Sequence, residues 1–326
     1  MQTPKLSAAD VSEILKSKSG SYYAMYSSWL GGVVTEPHLM AIPMDDHLVH
    51  RGDGVFEAIK IVNGGVYLLE EHLDRLFVSA AKIGLGTQFL REDLKRIVLQ
   101  TCKIGLEEIV QRKSVPRHQV SAIVRLFISR GPGSFSPNPY DTKGHQFYCV
   151  VTDSKMMSAE KYAGGVSVGK SEIPVKQGWF ATVKSCNYLA NVLMKKESVD
   201  RSLDFTVAFN GDGFLAESST ENIFLIDRNS RMIHPRWDYI LKGTMMIRAF
   251  ELAQENQWLS VIGAADISEA DLLLCQGAFM VGTTLDVIPV TQYEGKKLPV
   301  SNIYEKLLKA LRADQQQGSK KLTIID

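Results

Sequence analysis

The stretch that decides the fold class is GVFEAIKIVNGGVYLLEEHLDRLFVSAAKI, residues 54–83. Apolar residues alternate on either side of Asn63-Gly64-Gly65, which predicts a β-hairpin because asparagine and glycine tolerate the positive φ angles of a tight turn. From Glu70 onward the apolar residues recur at helical spacing, and residues 91–104 repeat that spacing. The first domain is therefore predicted to contain a hairpin followed by two amphipathic helices, after an amino-terminal helix and short strands over residues 22–42.

Patterns further along the chain extend this domain and mark its end. Residues 120–129 and 146–151 are rich in β-branched and apolar side chains, and they predict two more strands of the first sheet. The periodicity is then lost in a polar segment that we interpret as a linker. We predict a small amino-terminal α/β domain over residues 1–152, an interdomain linker over 153–163 and a larger cofactor-binding domain over 164–326.

The second half of the chain mixes strand and helix patterns. We predict a short strand over Thr182–Lys184, followed directly by a helix over Asn187–Asp200. Further helices are expected over Lys242–Glu255 and Ser301–Arg312, with strand candidates between them. The whole chain is predicted to be α+β in two domains.

Composition excludes several classes of function. The 326 residues include 37 Lys and Arg against 36 Asp and Glu, a net charge of +1 that draws in neither nucleic acid nor an anionic membrane. Apolar runs stay far below the roughly 20 residues of a membrane helix, and the amino terminus lacks the apolar core of a secretory signal. Four scattered cysteines without a Cys-x-x-Cys pair argue against zinc and disulfides. We expect a soluble, cytoplasmic protein.

One motif suggests a nucleoside triphosphatase, but its context does not. GGVSVGKS, residues 164–171, fits the phosphate-binding loop pattern at every fixed position. Such a loop must follow a buried strand and open a helix, because the helix N–H groups bind the phosphates. Here Pro174 and Gly178 follow the motif and prevent a helix. We therefore reject this interpretation and predict a strand over Val166–Lys170.

A lysine and an acid stand in short segments rich in small polar residues. Lys184 lies in TVKSCNY, residues 182–188, between a predicted strand and a helix. Glu217 lies in LAESSTENIF, just before an apolar strand, and Gly282-Thr283-Thr284 ends another strand. Backbone amides and hydroxyls at such strand ends suit a bound phosphate. Each residue alone is explained as an ordinary surface residue, whereas together they indicate a phosphate-containing ligand.

These segments together resemble the fold-type IV pyridoxal-phosphate enzymes, the class IV aminotransferases. The resemblance covers about residues 26–311. It is carried by RGDGVFE, EHLDRL, KSCN, AESSTEN, LKGT and GTT, the last followed five residues later by a proline. It is strongest to D-amino-acid aminotransferases, with aminodeoxychorismate lyases and branched-chain aminotransferases further off. It implies a small α/β domain and a larger, β-barrel-like domain with flanking helices.

The resemblance implies chemical roles for two residues. Lys184 would form a Schiff base with pyridoxal 5'-phosphate and, once released by the substrate, would move the Cα proton. Both roles need an amine of lowered pKa, which burial and a nearby cation provide. Glu217 would keep the pyridine nitrogen protonated, so that the ring accepts electrons from the carbanion.

Further residues would hold the cofactor. Arg75 would bind the phosphate through a charge-assisted pair of hydrogen bonds, and the alternative is a helical ion pair with Glu71. At residue 245 a methionine replaces a hydroxyl residue that is frequent in relatives, so only a backbone N–H is expected to act there. The other residues implied for the ring and the phosphate are Tyr188, Leu241, Thr244, Thr283 and Thr284.

The resemblance implies the substrate-binding residues less specifically than the cofactor-binding residues. It also leaves two alternative reactions. The candidates for the substrate are Phe56, Arg51, His47 and Arg130. Relatives close the cofactor cleft with loops of a partner subunit, here including His47 and Arg51, so a homodimer is expected. The lyases need a hydroxyl residue where this chain has Ala58, which favours transfer of an amino group between an amino acid and a keto acid over release of pyruvate from aminodeoxychorismate. D or L stereochemistry stays open.

Overall fold

The structure is a computed structural model that describes residues 4–16, 21–86, 88–259 and 262–326. The chain forms two compact units, one of Met1–Ser154 with Lys320–Asp326 and the other of Lys155–Ser319. The first unit contains, in chain order, α1 (Ala8–Lys16), β1 (Tyr22–Ser27), β2 (Gly32–Val34), α2 (His47–Arg51), β3 (Gly54–Val62), β4 (Gly65–Tyr67), α3 (Leu69–Lys82), α4 (Arg91–Lys113), β5 (Ala122–Ser129) and β6 (Gln146–Asp153).

The second unit follows without interruption. Its elements are α5 (Ala159–Gly164), β7 (Val166–Lys170), α6 (Leu189–Asp200), β8 (Phe205–Phe209), β9 (Leu215–Ser218), β10 (Asn222–Ile226), β11 (Met232–Pro235), α7 (Thr244–Glu255), β12 (Ile262–Ala265), α8 (Glu269–Leu273), β13 (Gly277–Gly282), β14 (Asp286–Tyr293), β15 (Lys296–Lys297) and α9 (Ile303–Asp314). The last strand, β16 (Leu322–Ile324), belongs to the first unit.

The first unit is a seven-stranded antiparallel sheet with helices packed on it. Its strand order is β16-β4-β3-β5-β6-β1-β2. The predicted hairpin is confirmed, since Asn63 and Gly64 have φ angles of 51° and 77° between β3 and β4. Helix α4 lies close to the sheet at Gly105, where an added Cβ would come within 2.8 Å of the Val151 side chain.

The second unit is a nine-stranded mixed sheet that curls towards closure. Its order is β12-β11-β10-β13-β14-β7-β8-β9, with β15 paired to β14. The two ends of the sheet approach each other, because Leu215 N at the start of β9 donates to Ile267 O, two residues after β12. This is the barrel-like domain that the sequence predicted. Residues 166–170 form strand β7, as expected from their alternation, and residues 171–177 directly after them are irregular rather than helical.

The segment that carries Lys184 differs from its prediction. Residues 182–184 do not form a strand, because a 3₁₀ helix over Gly178–Thr182 takes up their hydrogen bonds. Thr182 Oγ1 donates to Trp179 O at 2.7 Å, and Val183 N donates to Phe180 O. Lys184 therefore lies on an irregular segment.

The helix boundaries also shift from their predicted positions. Helix α6 begins at Leu189 rather than Asn187, and α7 begins at Thr244 rather than Lys242. Gly243 precedes α7 with extended backbone angles and acts as its N-cap, which excludes the residues before it from the helix. Helix α9 occupies residues 303–314 instead of 301–312.

The carboxy terminus does not end in the second unit. The predicted domain over residues 164–326 was too long, because strand β16 pairs with β4 of the first unit. Gly65 permits this pairing, since a Cβ there would lie 2.7 Å from Leu322 Cγ. The predicted linker also contains the last residue of β6 and helix α5. Among the described residues, no helix is both long and apolar enough to cross a membrane.

Candidate active site

One pocket of the second unit brings together four residues that the sequence singled out. These are Lys184, Tyr188, Glu217 and Leu241. The remaining residues that line it are Lys176, Ala181, Val183, Asn191, Ser218, Ser219 and Thr220. An amine, a carboxylate, a phenol and an apolar side chain thus share one cavity with small hydroxyl residues.

Lys184 is positioned by the turn before it and the helix after it. Ala181 and Val183 are buried and fix the backbone on its amino-terminal side. Tyr188 is the N-cap residue of α6, so its ring enters the pocket where that helix begins. Lys184 itself is half-buried, which leaves its amine in the cavity rather than in the core.

Glu217 is held by two donors that approach the same carboxylate oxygen. Leu241 N lies 3.2 Å from Glu217 Oε2, and Asn222 Nδ2 lies 3.5 Å from it. Asn222 Nδ2 also donates to Leu241 O at 3.0 Å. Because Asn222 is buried at the start of β10, these bonds fix the orientation of the carboxylate in the pocket.

The predicted phosphate residues lie at two chain segments adjacent to Asn222. Gly243 packs so closely on Asn222 that a Cβ would come within 1.9 Å of its Oδ1. Thr244 then begins the twelve-residue helix α7, whose N-cap makes no side-chain hydrogen bond. The first N–H groups of such a helix, with its dipole, attract an anion.

The other segment is the turn between β13 and β14. Asn222 pairs with Val281 in the sheet, and Thr283 and Thr284 follow two and three residues after Val281. Thr244, Thr283 and Thr284 are described by the structure but are not among the residues that line the pocket around Lys184. Their role towards a phosphate remains a prediction.

Arg75 lies in the first unit and is bound to Glu57, not to the alternative partner Glu71. Arg75 Nε and NH2 donate to the two oxygens of the Glu57 carboxylate, each at 2.7 Å. His72 Nδ1 lies 2.6 Å from the same carboxylate, and Glu71 pairs instead with Lys321. Burial would raise the pKa of Glu57, but Arg75 and His72 lower it to about 2.

Arg130 and His47 form a second cluster around Asp53. Arg130 donates through Nε and NH2 to both carboxylate oxygens of Asp53, each at 3.0 Å. The same guanidinium donates to the carbonyl groups of Ile83 and Gly84. His47 is buried, with Nδ1 3.3 Å from Asp53 Oδ2. These bonds give Arg130 a structural role in addition to the role predicted from the sequence.

Arg51 and Phe56, the other two predicted substrate residues, differ in exposure. Arg51 is exposed at the end of α2 and donates to Phe135 O at 2.6 Å. Phe56 is half-buried on β3, where its ring stacks on Phe127 with the centroids 6.1 Å apart.

Comparison with known proteins identifies the family. Residues 54–293, more than half of the chain, match the family described as amino-transferase class IV. The chain belongs to this family. Class IV aminotransferases use pyridoxal 5'-phosphate, and a similar solved structure is a hypothetical aminotransferase from Mycobacterium tuberculosis in its PLP-bound form. The protein is therefore a PLP-dependent aminotransferase.

Several proteins are similar to this class IV aminotransferase. The D-amino-acid transaminase, chloroplastic, of Arabidopsis thaliana is 32% identical over 99% of this chain and 85% of the relative. The D-alanine aminotransferase of Bacillus licheniformis is 28% identical over 82% of this chain and 88% of its own. The branched-chain aminotransferase structure from Escherichia coli has a TM-score of 0.81 at 18% identity, covering 94% of this chain and all of that one. The predicted two-domain, fold-type IV architecture is confirmed.

Two pocket residues, Asn191 and Lys176, had no role in the sequence prediction, and neither had Asn222, which lies next to the pocket and contacts Glu217. Asn222 stands in the AESSTEN motif, and its position five residues after Glu217 was the available signal. Asn191 donates through Nδ2 to Ser219 O, while its buried Oδ1 has no partner among the described residues. Lys176 precedes the 3₁₀ helix, and no sequence pattern pointed to it.

The cluster around Glu57 predicts a specific pH dependence of stability. The pKa of Glu57 is about 2 in the folded protein against an ordinary value of 4.5. The charge of Glu57 therefore stabilises the fold fully above pH 4.5, and this contribution is lost as the pH falls towards 2. Between about pH 5 and 2, the wild type should lose roughly 3 kcal/mol more free energy of unfolding than Glu57→Gln does. Urea unfolding across this range measures it. Glu107→Gln, at an exposed glutamate, is the control, and an equal loss in wild type and Glu57→Gln would contradict the assignment.

Proposed function

We propose that this aminotransferase binds its cofactor through Lys184 and exchanges amino groups between a D-amino acid or a branched-chain amino acid and a 2-keto acid. The observation that carries the proposal is the shared pocket, in which the Lys184 amine and the braced Glu217 carboxylate are both present. The pocket also has an unsatisfied buried acceptor, Asn191 Oδ1, which a bound ligand can satisfy.

The residues present fit pyridoxal 5'-phosphate. When bound, this cofactor supplies an electron sink for negative charge at the Cα of the substrate. Glu217 would keep a proton on the pyridine nitrogen, and Leu241 would pack on the ring. Thr244 at the amino terminus of α7, Thr283, Thr284 and Arg75 would bind the phosphate.

Lys184 then has two tasks in succession. Its amine would hold the cofactor covalently, and once a substrate amine has taken its place the free amine would accept the proton from the substrate Cα. Tyr188, at the N-cap of α6, lies in the same pocket and is proposed to contact the ring hydroxyl.

The relatives support the proposed substrate class, and one residue of β3 supports the proposed type of reaction. The Arabidopsis and Bacillus relatives are named for D-amino-acid and D-alanine substrates. Arg51, His47, Arg130 and Phe56 are proposed to contact the substrate. Ala58 has no proton to donate, which favours amino transfer over the lyase reaction. We retain the cytoplasm as the proposed location of this protein.

The first prediction concerns the lysine that carries the cofactor. Borohydride reduction of the purified holoenzyme followed by peptide mass mapping should place the cofactor adduct on Lys184, and Lys184→Ala should form none. Lys195→Ala, at an exposed lysine of α6, serves as the control and should keep the adduct. An adduct on Lys176, the other lysine in this pocket, would overturn the assignment.

The second prediction concerns the reaction. On one preparation, kcat/KM for the best donor in a panel of D- and L-amino acids should exceed that for pyruvate release from aminodeoxychorismate. A missing general acid typically costs about 10² to 10⁴ in rate, which is enough to decide between the two reactions. Ala58→Thr should raise lyase activity without changing amino transfer from the donor to the cofactor. A wild-type enzyme that is the better lyase would disprove our interpretation of residue 58.

The third prediction concerns assembly. We propose a C₂ homodimer, because large apolar side chains are exposed in loops of the first unit, including Met44 (71%), Phe135 (59%) and Trp29 (47%). Met44 is three residues before α2, which carries His47 and Arg51. Light scattering should show a dimer that Met44→Glu weakens, whereas Leu90→Glu, at an equally exposed leucine, should not. A fully active monomer would refute the proposal.

A further inference from the structure

The pocket contains a second lysine that the proposed mechanism does not use. Lys176 is half-buried on the irregular segment before the 3₁₀ helix, and its side chain lines the same cavity as Lys184. Lys176 Nζ lies 5.2 Å from the centroid of the Tyr188 ring, within the range of a cation–π interaction. The amine is therefore held inside the pocket by an aromatic ring that is itself part of the site.

The charged and titratable groups that face Lys176 belong to the same site. Burial lowers the pKa of Lys176, while the proximity of Glu217 and, to a smaller extent, of Cys186 opposes that effect. Among the described residues that line the pocket, the other titratable side chains are Tyr188 and Lys184. Lys176 thus interacts electrostatically with the carboxylate of Glu217, which is proposed to contact the cofactor ring.

The charge balance of the pocket creates a conflict between the two amines. If both lysines are protonated, two positive charges share a partly buried cavity with the single carboxylate of Glu217. Like charges that line one partly buried cavity repel each other more than they would in water, so one protonated amine disfavours protonation of the other. Lys184 must give up its proton to bind the cofactor and to accept a proton from the substrate.

We propose that Lys176 is a positioning residue that acts electrostatically through Lys184. Its ammonium group makes the nitrogen of Lys184 a weaker base, both as the free amine and in its covalent link to the cofactor. At neutral pH a larger fraction of Lys184 is then unprotonated and the proton is released to solvent. This inference rests on the proposed function, because it takes Lys184 as the lysine that carries the cofactor.

The test uses the absorption spectrum of the holoenzyme as a function of pH. The protonated and unprotonated forms of the lysine–cofactor link absorb at different wavelengths, so the midpoint of the spectral change reports the basicity of the Lys184 nitrogen. Lys176→Met removes the charge and keeps an unbranched side chain, and the midpoint should rise by about one to two pH units. Lys176→Arg keeps the charge and should restore most of the wild-type midpoint.

A matched control separates charge from general packing. Lys170 also lies over an aromatic ring, with Nζ 4.8 Å from the Phe209 centroid, but it pairs with Glu269 and does not line the pocket. Lys170→Met should therefore leave the midpoint unchanged. If Lys176→Met binds the cofactor poorly, acetylation of Lys184 in the apoprotein, followed by mass spectrometry against pH, reports the same basicity and should shift in the same direction.

The outcomes distinguish this inference from the proposed function. An unchanged midpoint in Lys176→Met, or an equal shift in Lys176→Met and Lys176→Arg, overturns the electrostatic role of Lys176 while the adduct on Lys184 stands. A wild-type holoenzyme whose adduct lies on another lysine overturns the proposed function itself. A raised midpoint that Lys176→Arg reverses supports the inference.

Discussion

The site depends on the position of one buried amide, that of Asn222. Its Nδ2 donates to Leu241 O and approaches Glu217 Oε2, and its Oδ1 lies against Gly243. The positions of Glu217, of Leu241 and of the start of α7 therefore all depend on this single side chain. Leaving a buried carbonyl without its donor costs about 1 to 3 kcal/mol, so a change at Asn222 is expected to disturb all three together. The same contact explains the glycine at residue 243, where any side chain would displace the Asn222 amide.

The first unit also contains a buried charge, and this charge is stabilised by ion pairs rather than by a buried amide. Glu57 on β3 is fully buried, yet it remains ionised because Arg75 and His72 on α3 both bind it. A buried charge is costly unless it is paired and hydrogen-bonded; Arg75 binds both oxygens of Glu57, and His72 adds a further contact to Oε2. The RGDGVFE and EHLDRL motifs thus contribute to one ion-pair cluster, in which the strand provides the carboxylate and the helix provides its two basic partners. Arg75 is oriented by this contact before any phosphate binds.

Local patterns predicted much of this architecture, and long-range contacts explain what they missed. The hairpin at Asn63-Gly64 followed from backbone conformation alone, because few other residues adopt both φ angles. The pairing of β16 with β4 could not be read from residues 322–324, since it depends on the space that Gly65 leaves more than 250 residues earlier in the chain. The motifs singled out Lys184 and Glu217, and the structure brings both to one pocket. The sequence did not indicate Lys176 as a site residue, because its proximity to the Tyr188 ring and to Glu217 arises only in the folded chain.

The two groups proposed to act on the cofactor stand on different kinds of backbone, and their tasks account for the difference. Glu217 lies on strand β9 and is held by two donors, which suits a group that keeps one position relative to a ring nitrogen. Lys184 lies on an irregular segment between a 3₁₀ helix and α6. Its proposed tasks require the amine to reach the cofactor in one state and the substrate Cα in another. A sheet strand would restrict both its backbone and the start of its side chain. The replacement of the predicted strand by a turn is therefore consistent with the movement that Lys184 has to make, while the buried Ala181 and Val183 keep the segment anchored on one side.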